Sequence, residues 1–352
     1  MAFAGARLDV AALPLPPTVR HKLQCAGFRT TKDLEGIQPL DLANEAHLSH
    51  EEALLALKVS LPNSGADGLL GAQSARQIFN IERKTCRIIT FSAEMDQILG
   101  GGVALGQVTE FCGVPGVGKT QLGMQLAINV QLPNAFKGAA GEAIYIDTEG
   151  SFTAERCAQM ANSFCTHLTK IAAQKKDAER IAAAAATTPD SILSHIHFFR
   201  ARDHVEQLAI VDALPSFLDA HPSVRVIIID SVTFHFRQDF ADMAARTRQL
   251  AQMSQSLMAL AGERKLAVVL MNQVTTKIAT GGQGTRLVPA LGDSWAHAAT
   301  SRVILYWQNS VRHAFIYKSP TQPAAAAEYA ITTDGVRSLK KPSAAVKRPH
   351  PG

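Results

Sequence analysis

Four fixed positions set the chemistry open to this chain. In Gly113-Val114-Pro115-Gly116-Val117-Gly118-Lys119-Thr120, two glycines, a lysine and a threonine stand at the phosphate-loop spacing G-x-x-x-x-G-K-[ST]. Glycine lets the backbone turn so that successive N–H groups point at one anion, with the positive end of a helix behind them. Lys119 is then placed to reach the β- and γ-phosphates of ATP, and the Thr120 hydroxyl to join a Mg²⁺ shell. The flanks agree. Gln107–Cys112 reads as a short strand, and the segment after the loop carries Leu122, Met124, Leu126, Ala127 and Val130 at helical spacing.

Further polar groups end apolar runs. Val226-Ile227-Ile228-Ile229 stops at Asp230-Ser231, and Ile144-Tyr145-Ile146 stops at Asp147-Thr148-Glu149-Gly150. In an α/β sheet ligands bind beyond the carboxyl ends of the strands. Asp230 is therefore placed to hold Mg²⁺ through water beside Thr120. Glu149 is placed to take a proton from the water that attacks the γ-phosphate. The plain alternative for either acid is a helix cap. A third run, Val268–Met271, ends in Asn272-Gln273, where the Gln273 amide can sense the γ-phosphate and pass its presence to the following loop.

These groups need a scaffold. Candidate strands Ile88–Phe91, Val108–Cys112, Ala143–Asp147, Ile196–Phe199, Val224–Asp230, Leu266–Asn272, Arg302–Trp307 and Ala314–Lys318 alternate with helical segments. The middle runs are almost continuously apolar, as in a sheet buried on both faces, so the fold class is α/β of the phosphate-loop type. Lys170–Pro189, with Ala182–Ala186, reads as one peripheral alanine-rich helix, because alanine favours helix without supplying a core stripe.

Ahead of this core, residues 1–60 hold a small helical domain. Pro16-Pro17 opens a segment with Val19 and Leu23 that stops at Gly27, and Ser49-His50-Glu51-Glu52 is a capping box before Leu54, Leu55 and Leu57. Such helical hairpins contact duplex backbone or dock partners, and nothing between Arg20 and Lys58 decides which. Residues 61–86 read as a linker, flexible at Asn63-Ser64-Gly65 and Gly68. Phe79, within Ile78-Phe79-Asn80-Ile81, either packs on its own core or plugs into a neighbouring subunit. The core then spans 87–338 and a basic tail 339–352.

A chain of 352 residues that is 47% hydrophobic, without an apolar run near about 18 residues, points to a soluble protein with a full core. The N-terminus lacks a basic stretch followed by an apolar one, which argues against secretion. Five cysteines, Cys25, Cys86, Cys112, Cys157 and Cys165, suit a reducing compartment. The net charge of +5 is matched by the stretch after Asp334, where Arg337 at the end of the core and Lys340, Lys341, Lys347 and Arg348 in the tail stand with no acid among them. Global charge therefore does not argue for DNA binding. The tail itself is either a nuclear-import signal or a solvated end.

The motifs in sequence carry a family resemblance. Leu99-Gly100-Gly101-Gly102, the phosphate loop, Tyr145-Ile146-Asp147-Thr148-Glu149-Gly150-Ser151-Phe152, the Asp230 strand, Asn272-Gln273 and Trp295-Ala296-His297-Ala298-Ala299-Thr300 stand in the order of RecA-type recombinases of the eukaryotic Rad group. Gln121-Leu122, Thr275-Thr276-Lys277-Ile278, Leu287–Gly292 and Tyr317-Lys318-Ser319-Pro320 make the chain look most like that group's C-type branch. The resemblance spans residues 12 to about 338. It implies a RecA-like ATPase core behind an all-α helical-hairpin domain. It also implies an ATP- and Mg²⁺-dependent factor of homologous-recombination repair that works in the nucleus, with the cytoplasm also open to it. Its expected partners are sister recombinase paralogues, the strand-exchange recombinase and single-stranded or branched DNA, with no membrane.

The same resemblance assigns Arg156 to stacking on adenine, as its planar cation allows. Because nucleotide in that family sits between subunits, His297 matches a position that senses the neighbour's γ-phosphate, and Lys318 a position that caps the neighbour's nucleotide. The plain alternative for both is a surface role. Cationic groups supplied in trans are worth roughly 10³–10⁵ in rate, so the isolated chain is expected to hydrolyse ATP slowly.

The chain also departs from the strand-exchange enzymes. Phe236-Arg237-Gln238-Asp239-Phe240 passes directly into Ala241-Asp242-Met243, where those enzymes carry extra residues in a first DNA loop. The second loop, Val274–Pro289, offers Lys277, Arg286 and glycines at 281, 282 and 284 but no aromatic residue, which suits backbone-phosphate contact rather than base stacking. Two phosphates give a single-strand salt slope of only about −1.4. Arg246 and Arg248 either add to the contact or line a solvated helix face. Two other functions fit the motifs: a nucleotide-stabilised scaffold with little turnover, and a RecA-like ATPase remote from DNA.

Overall fold

The computed structural model describes residues 9–60, 74–237, 240, 242–278, 285–291 and 294–339. The chain divides into two compact units, Met1–Lys84 and Thr85–Gly352.

In the first unit, α1 (Pro17–Cys25), α2 (Pro39–Glu45) and α3 (His50–Ser60) enclose Val10, Val19, Leu23, Leu34, Leu42 and Ala53. Prolines open α1 and α2, where a missing N–H costs nothing. The capping box forms: the Glu52 N–H donates to Ser49 Oγ at 3.1 Å and the Ser49 N–H to Glu52 Oε2 at 2.8 Å. Helix α3 turns Ala53 and Ala56 inward and leaves Leu54 and Leu55 exposed. The segment expected to be a flexible linker contains a further helix, α4 (Ala75–Lys84), while 61–73 lies outside the described residues. Phe79 is 47% exposed, so it does not sit in a core. The Arg76 and Arg83 guanidiniums lie 6.0 and 5.6 Å from its ring.

The second unit opens with β1 (Arg87–Ile88), α5 (Ala93–Ile98), β2 (Val103–Ala104), β3 (Val108–Gly113) and α6 (Lys119–Asn129). It continues through β4 (Glu142–Asp147), α7 (Ala154–Lys175), α8 (Ala178–Ala186), α9 (Pro189–Ser194), β5 (Ile196–Arg200), α10 (His204–Ala220), β6 (Val224–Asp230) and α11 (Met243–Arg264). The remaining strands are β7 (Ala267–Ile278), β8 (Thr285–Pro289), β9 (Ser301–Gln308), β10 (Val311–Lys318), β11 (Ala326–Thr332) and β12 (Gly335–Ser338). The main sheet runs β12-β11-β10-β9-β3-β7-β6-β4-β5, with β8 paired to β7 off this path. Neighbours from β9 to β5 are parallel, and those from β9 to β12 antiparallel.

The apolar runs are continuous because both faces are covered. Tyr145, Ile228 and Val269 face a cluster with Leu122 and Leu126 of α6 and Phe164 of α7. The alternate residues Ile144, Ile146, Ile227 and Ile229 face Val211 and Leu214 of α10 and Leu257 of α11.

Several expected elements differ. Lys170–Pro189 is not one helix. The chain breaks after α7 at Lys176, with φ 50°, and restarts at α8, where the Asp177 side chain accepts from the Glu179 and Arg180 N–H groups. Ile88–Phe91 shrinks to the two residues of β1. The strand expected over Leu266–Asn272 continues to Ile278 and pairs with β8, so the second loop springs from a ribbon. Strands β11 and β12 were not expected: β11 begins in the alanine run Ala324–Ala327, which favours helix, and β12 is only four residues long. Pairing with β10 overrides that preference and buries Tyr329.

Candidate nucleotide site

Strand β3 ends in the glycine turn, and α6 begins at Lys119. Gly118, the residue before the helix, has φ 107°, and a Cβ there would come within 2.1 Å of Ile331 Cδ1. Gly116 needs glycine for its conformation alone, with φ 77° and nothing within 4 Å of an added Cβ. No side chain caps the first turn of α6, so its N–H groups are left to face an anion. From the far side, Tyr329 Oη donates to the Val117 carbonyl at 2.9 Å and Arg312 Nε at 3.2 Å.

Lys119 Nζ donates to the Gly113 and Val114 carbonyls at 2.9 and 3.1 Å. Burial draws its pKa below the usual ammonium range, against the pull of Asp230 and Glu149. Asp230, at the end of β6, is displaced the other way. Burial raises its pKa and the Glu149 charge adds to this, while hydrogen bonds from Thr120 and Tyr145 and the Lys119 charge oppose it. Tyr145 Oη donates to Asp230 Oδ2 at 2.8 Å. A half-buried cation, a hydroxyl and a buried carboxylate thus share one place. That donor set fits Mg²⁺ carried by a triphosphate: Lys119 would face phosphate oxygens, and Thr120 and Asp230 would offer the hard oxygen ligands Mg²⁺ prefers.

Glu149 is placed by Asp147. The buried Asp147 Oδ1 accepts from the N–H groups of Glu149 and Gly150 at 3.0 and 2.7 Å, Oδ2 accepts from that of Phe152 at 3.2 Å, and Arg200 pairs with Oδ1 at 3.2 Å. The Glu149 carboxylate then accepts from Ser231 Oγ at 2.6 Å and from Gln273 Nε2 at 3.2 Å. Arg237 Nη1 donates to the Gln273 side-chain oxygen. Glu149, Gln273 and Arg237 therefore form one chain from a strand-end acid to the start of the first loop. Arg156, on α7, donates to Gln121 of α6 at 2.8 Å and to the carbonyls of Thr332 and Thr333 at 2.6 Å each, beside the phosphate-loop helix.

Other expected residues lie elsewhere. Strands β3 and β9 run parallel from the pair Thr109/Ser301 to the pair Gly113/Leu305, so the start of β9 is the end remote from the phosphate loop. Lys318 pairs with Arg302 at that remote end, and its Nζ donates to the Ala299 carbonyl at 2.7 Å. The exposed His297 sits in the turn leading there. Neither joins this chain's own loop. Lys277 and Arg286 are direct Cα partners across the β7/β8 ribbon, although their side chains lie outside what is described. Arg246 is turned inward, its Nε donating to the Phe236 carbonyl at 2.5 Å, and Arg248 pairs with Asp242 at 3.6 Å. Residues 238, 239, 241, the glycines at 281, 282 and 284, and the tail from 340 onward lie outside the described residues.

The sequence did not single out Asp147, Ser231, Arg237, Arg312 or Tyr329 for a role. Only Asp147 left a local signal, an aspartate three residues before Gly150, which is an Asx-turn pattern. Glu110 was missed as well. Fully buried in β3, it accepts from Asn272 Nδ2 at 2.6 Å, from Trp295 Nε1 at 2.8 Å and from Arg302 Nε. That hub ties the phosphate-loop strand to β7, β9 and the turn bearing His297. A groove of about 420 Å³ between β5 and α10 is lined by Phe199, Leu214 and Phe217 with Arg200, Arg202 and Glu206 among them, and Arg200 also reaches Asp147.

The Rad51 family model matches residues 82–339. The chain is 45% identical over 337 residues to DNA repair protein RAD51 homolog 3 of Cricetulus griseus, covering 94% of this chain and 92% of that relative. To the protein of the same name from Dictyostelium discoideum it is 40% identical over 252 residues, 72% of this chain and 65% of that relative. To DNA repair and recombination protein RadA of Aeropyrum pernix it is 31% identical over 346 residues, 94% of this chain and 96% of that relative. With matches that reach across both the phosphate loop and the antiparallel strands behind it, the chain belongs to the Rad51 family and its α/β unit is a RecA-like core.

Proposed function

We propose that the chain is an ATP-dependent, DNA-binding assembly factor of homologous-recombination repair, acting in the nucleus within complexes of recombinase paralogues to assist the strand-exchange recombinase. One observation carries this reading. Lys119, Thr120, Asp230 and Glu149 converge from the carboxyl ends of β3, β6 and β4, and Gln273 links Glu149 to the segment that leads toward the first loop. Bound there, Mg²⁺ supplies charge neutralisation to the β- and γ-phosphate oxygens. The chain's own groups do the rest. Lys119 holds phosphate, Glu149 orients and deprotonates water, Arg156 meets the base, and Gln273 reports the γ-phosphate through Arg237. The relatives' names, DNA repair proteins and a recombination protein, support the pathway.

The position of His297 and Lys318 at the end remote from the loop supports their service to a neighbouring subunit's nucleotide, and hence slow hydrolysis by the isolated chain. Lys277 and Arg286, paired across the ribbon, are the proposed backbone-phosphate contacts. The helical unit 1–60, the connector 61–86, the core 87–338 and the tail 339–352 are the proposed division of labour.

Complementation of a repair-deficient cell tests the reading. Wild-type chain is expected to restore repair, whereas Lys119→Ala and Glu149→Gln fail although both still recover their partners on affinity purification. Full repair by both variants would overturn ATP-driven action and leave a scaffold whose nucleotide is structural.

A further inference from the structure

At the end of the sheet remote from the phosphate loop, Glu142, His197 and His221 meet. They come from three elements: the first residue of β4, the second of β5 and the residue that follows α10. All three are half-buried, and their ligand atoms lie within 4.8 Å of one another. His197 Nε2 is 2.7 Å from Glu142 Oε2, and the two imidazole centroids are 4.5 Å apart.

The surroundings orient these groups. Ser223 Oγ donates to Glu142 Oε1 at 2.8 Å, the kind of outer hydrogen bond that fixes a ligating carboxylate. Burial works to raise the Glu142 pKa, but hydrogen bonds from His197 and Ser223 outweigh it and keep the carboxyl below its usual range, ionised at neutral pH. Phe217 stacks on His221 at 4.3 Å and meets His197 edge-on at 5.2 Å, so one ring walls the cluster and sets both imidazole planes.

We propose that Glu142, His197 and His221 form a transition-metal site of the zinc class. Two imidazoles and one carboxylate are borderline donors that suit Zn²⁺, and water completes a tetrahedron. Ligands about 2.0–2.2 Å from such a metal stand roughly 3.4 Å from one another, so the His197–Glu142 contact opens and the wider separations close, each by a shift on the order of an ångström. The ring nitrogen that takes the metal is unprotonated, its proton passing to the other ring nitrogen or to solvent. Once bound, the metal would tie the end of α10 to β5, an edge strand of the main sheet. The site uses none of the nucleotide-binding groups and stands or falls apart from them.

Metal-stripped full-length protein, titrated with Zn²⁺ against a chromophoric chelator, tests this. The expected result is one equivalent per chain, with affinity lowered at least about tenfold by His221→Gln and by Glu142→Gln. Co²⁺ should give the intense ligand-field spectrum of a four-coordinate ion without a thiolate charge-transfer band. Zn²⁺ should raise the melting midpoint of the parent and of Cys25→Ser, but not of the two ligand variants. Cys25→Ser is the control because His21 and Cys25 face each other at 3.6 Å in the helical unit. Absence of stoichiometric uptake, uptake retained in a folded His221→Gln variant, or uptake lost in Cys25→Ser would each overturn the proposal.

Discussion

The Gln273 side-chain amide donates to Glu149 Oε1 across 3.2 Å, joining β7 to the loop after β4 over the end of the intervening β6. Its oxygen is held by Arg237, just before the first loop. A change at the γ-phosphate that moves Glu149 must therefore be felt by Gln273 and Arg237. Gln273→Ala and Arg237→Ala are expected to leave ATP affinity nearly unchanged and to collapse the effect of ATP on DNA affinity, which for ordinary coupling is about 5–150-fold. Anisotropy of labelled single-stranded DNA with and without ATP reads this. Undiminished coupling in both variants would separate Gln273 from the switch.

Glu149→Gln keeps an acceptor oxygen for Ser231 and Gln273 but removes the carboxylate proposed as the base. Steady-state hydrolysis by the assembled complex should fall by roughly 10²–10⁴ in kcat, the usual contribution of general base catalysis, with little change in KM for ATP. A fall in affinity with kcat intact would place Glu149 in binding instead.

Asp230 stands in a site whose burial disfavours its charge. Its folded pKa lies above the unfolded value, so the carboxylate costs stability at neutral pH, and that cost disappears as pH falls through the folded value into the usual carboxylate range. Asp230→Asn is therefore expected to melt higher than the parent without nucleotide at neutral pH, and the gap should close on acidification. A gap that widens toward acid would reverse the sign of the burial effect. The same variant should lose Mg²⁺-dependent nucleotide binding, since stability and function conflict at this position.

Glu110 and Arg302 are paired and buried between β3 and β9, toward the end remote from the phosphate loop. Arg302→Met strands a carboxylate and is expected to cost about 3–5 kcal/mol in denaturant unfolding of the larger unit. Adding Glu110→Gln should restore part of that, because Trp295 and Asn272 can still donate to the new amide oxygen. A single-variant loss within about 0.5 kcal/mol, as for an ordinary surface change, would contradict the hub.

What could be seen in the sequence was local. The phosphate loop, Asp230 and the middle strands show because each is a contiguous pattern: fixed glycine spacing, or an apolar run ending in a polar residue. Tyr145 supporting Asp230, Arg312 and Tyr329 behind Val117, and Arg237 on Gln273 are contacts between residues far apart in the chain, and no spacing announces them. The strand around Ala326 left no signal in the sequence, because its state comes from the neighbour it pairs with, not from its own preference. The tie between Arg246 and the Phe236 carbonyl likewise could not be told from a solvated helix face by composition.

Calorimetric titration of the full-length chain, alone and in its purified assembly, with ATP and Mg²⁺ tests the central claim most directly. The account predicts one ATP bound per chain, dependent on Mg²⁺ and lost in Lys119→Ala. No Mg²⁺-dependent binding in either preparation, or equal binding by Lys119→Ala, would contradict it.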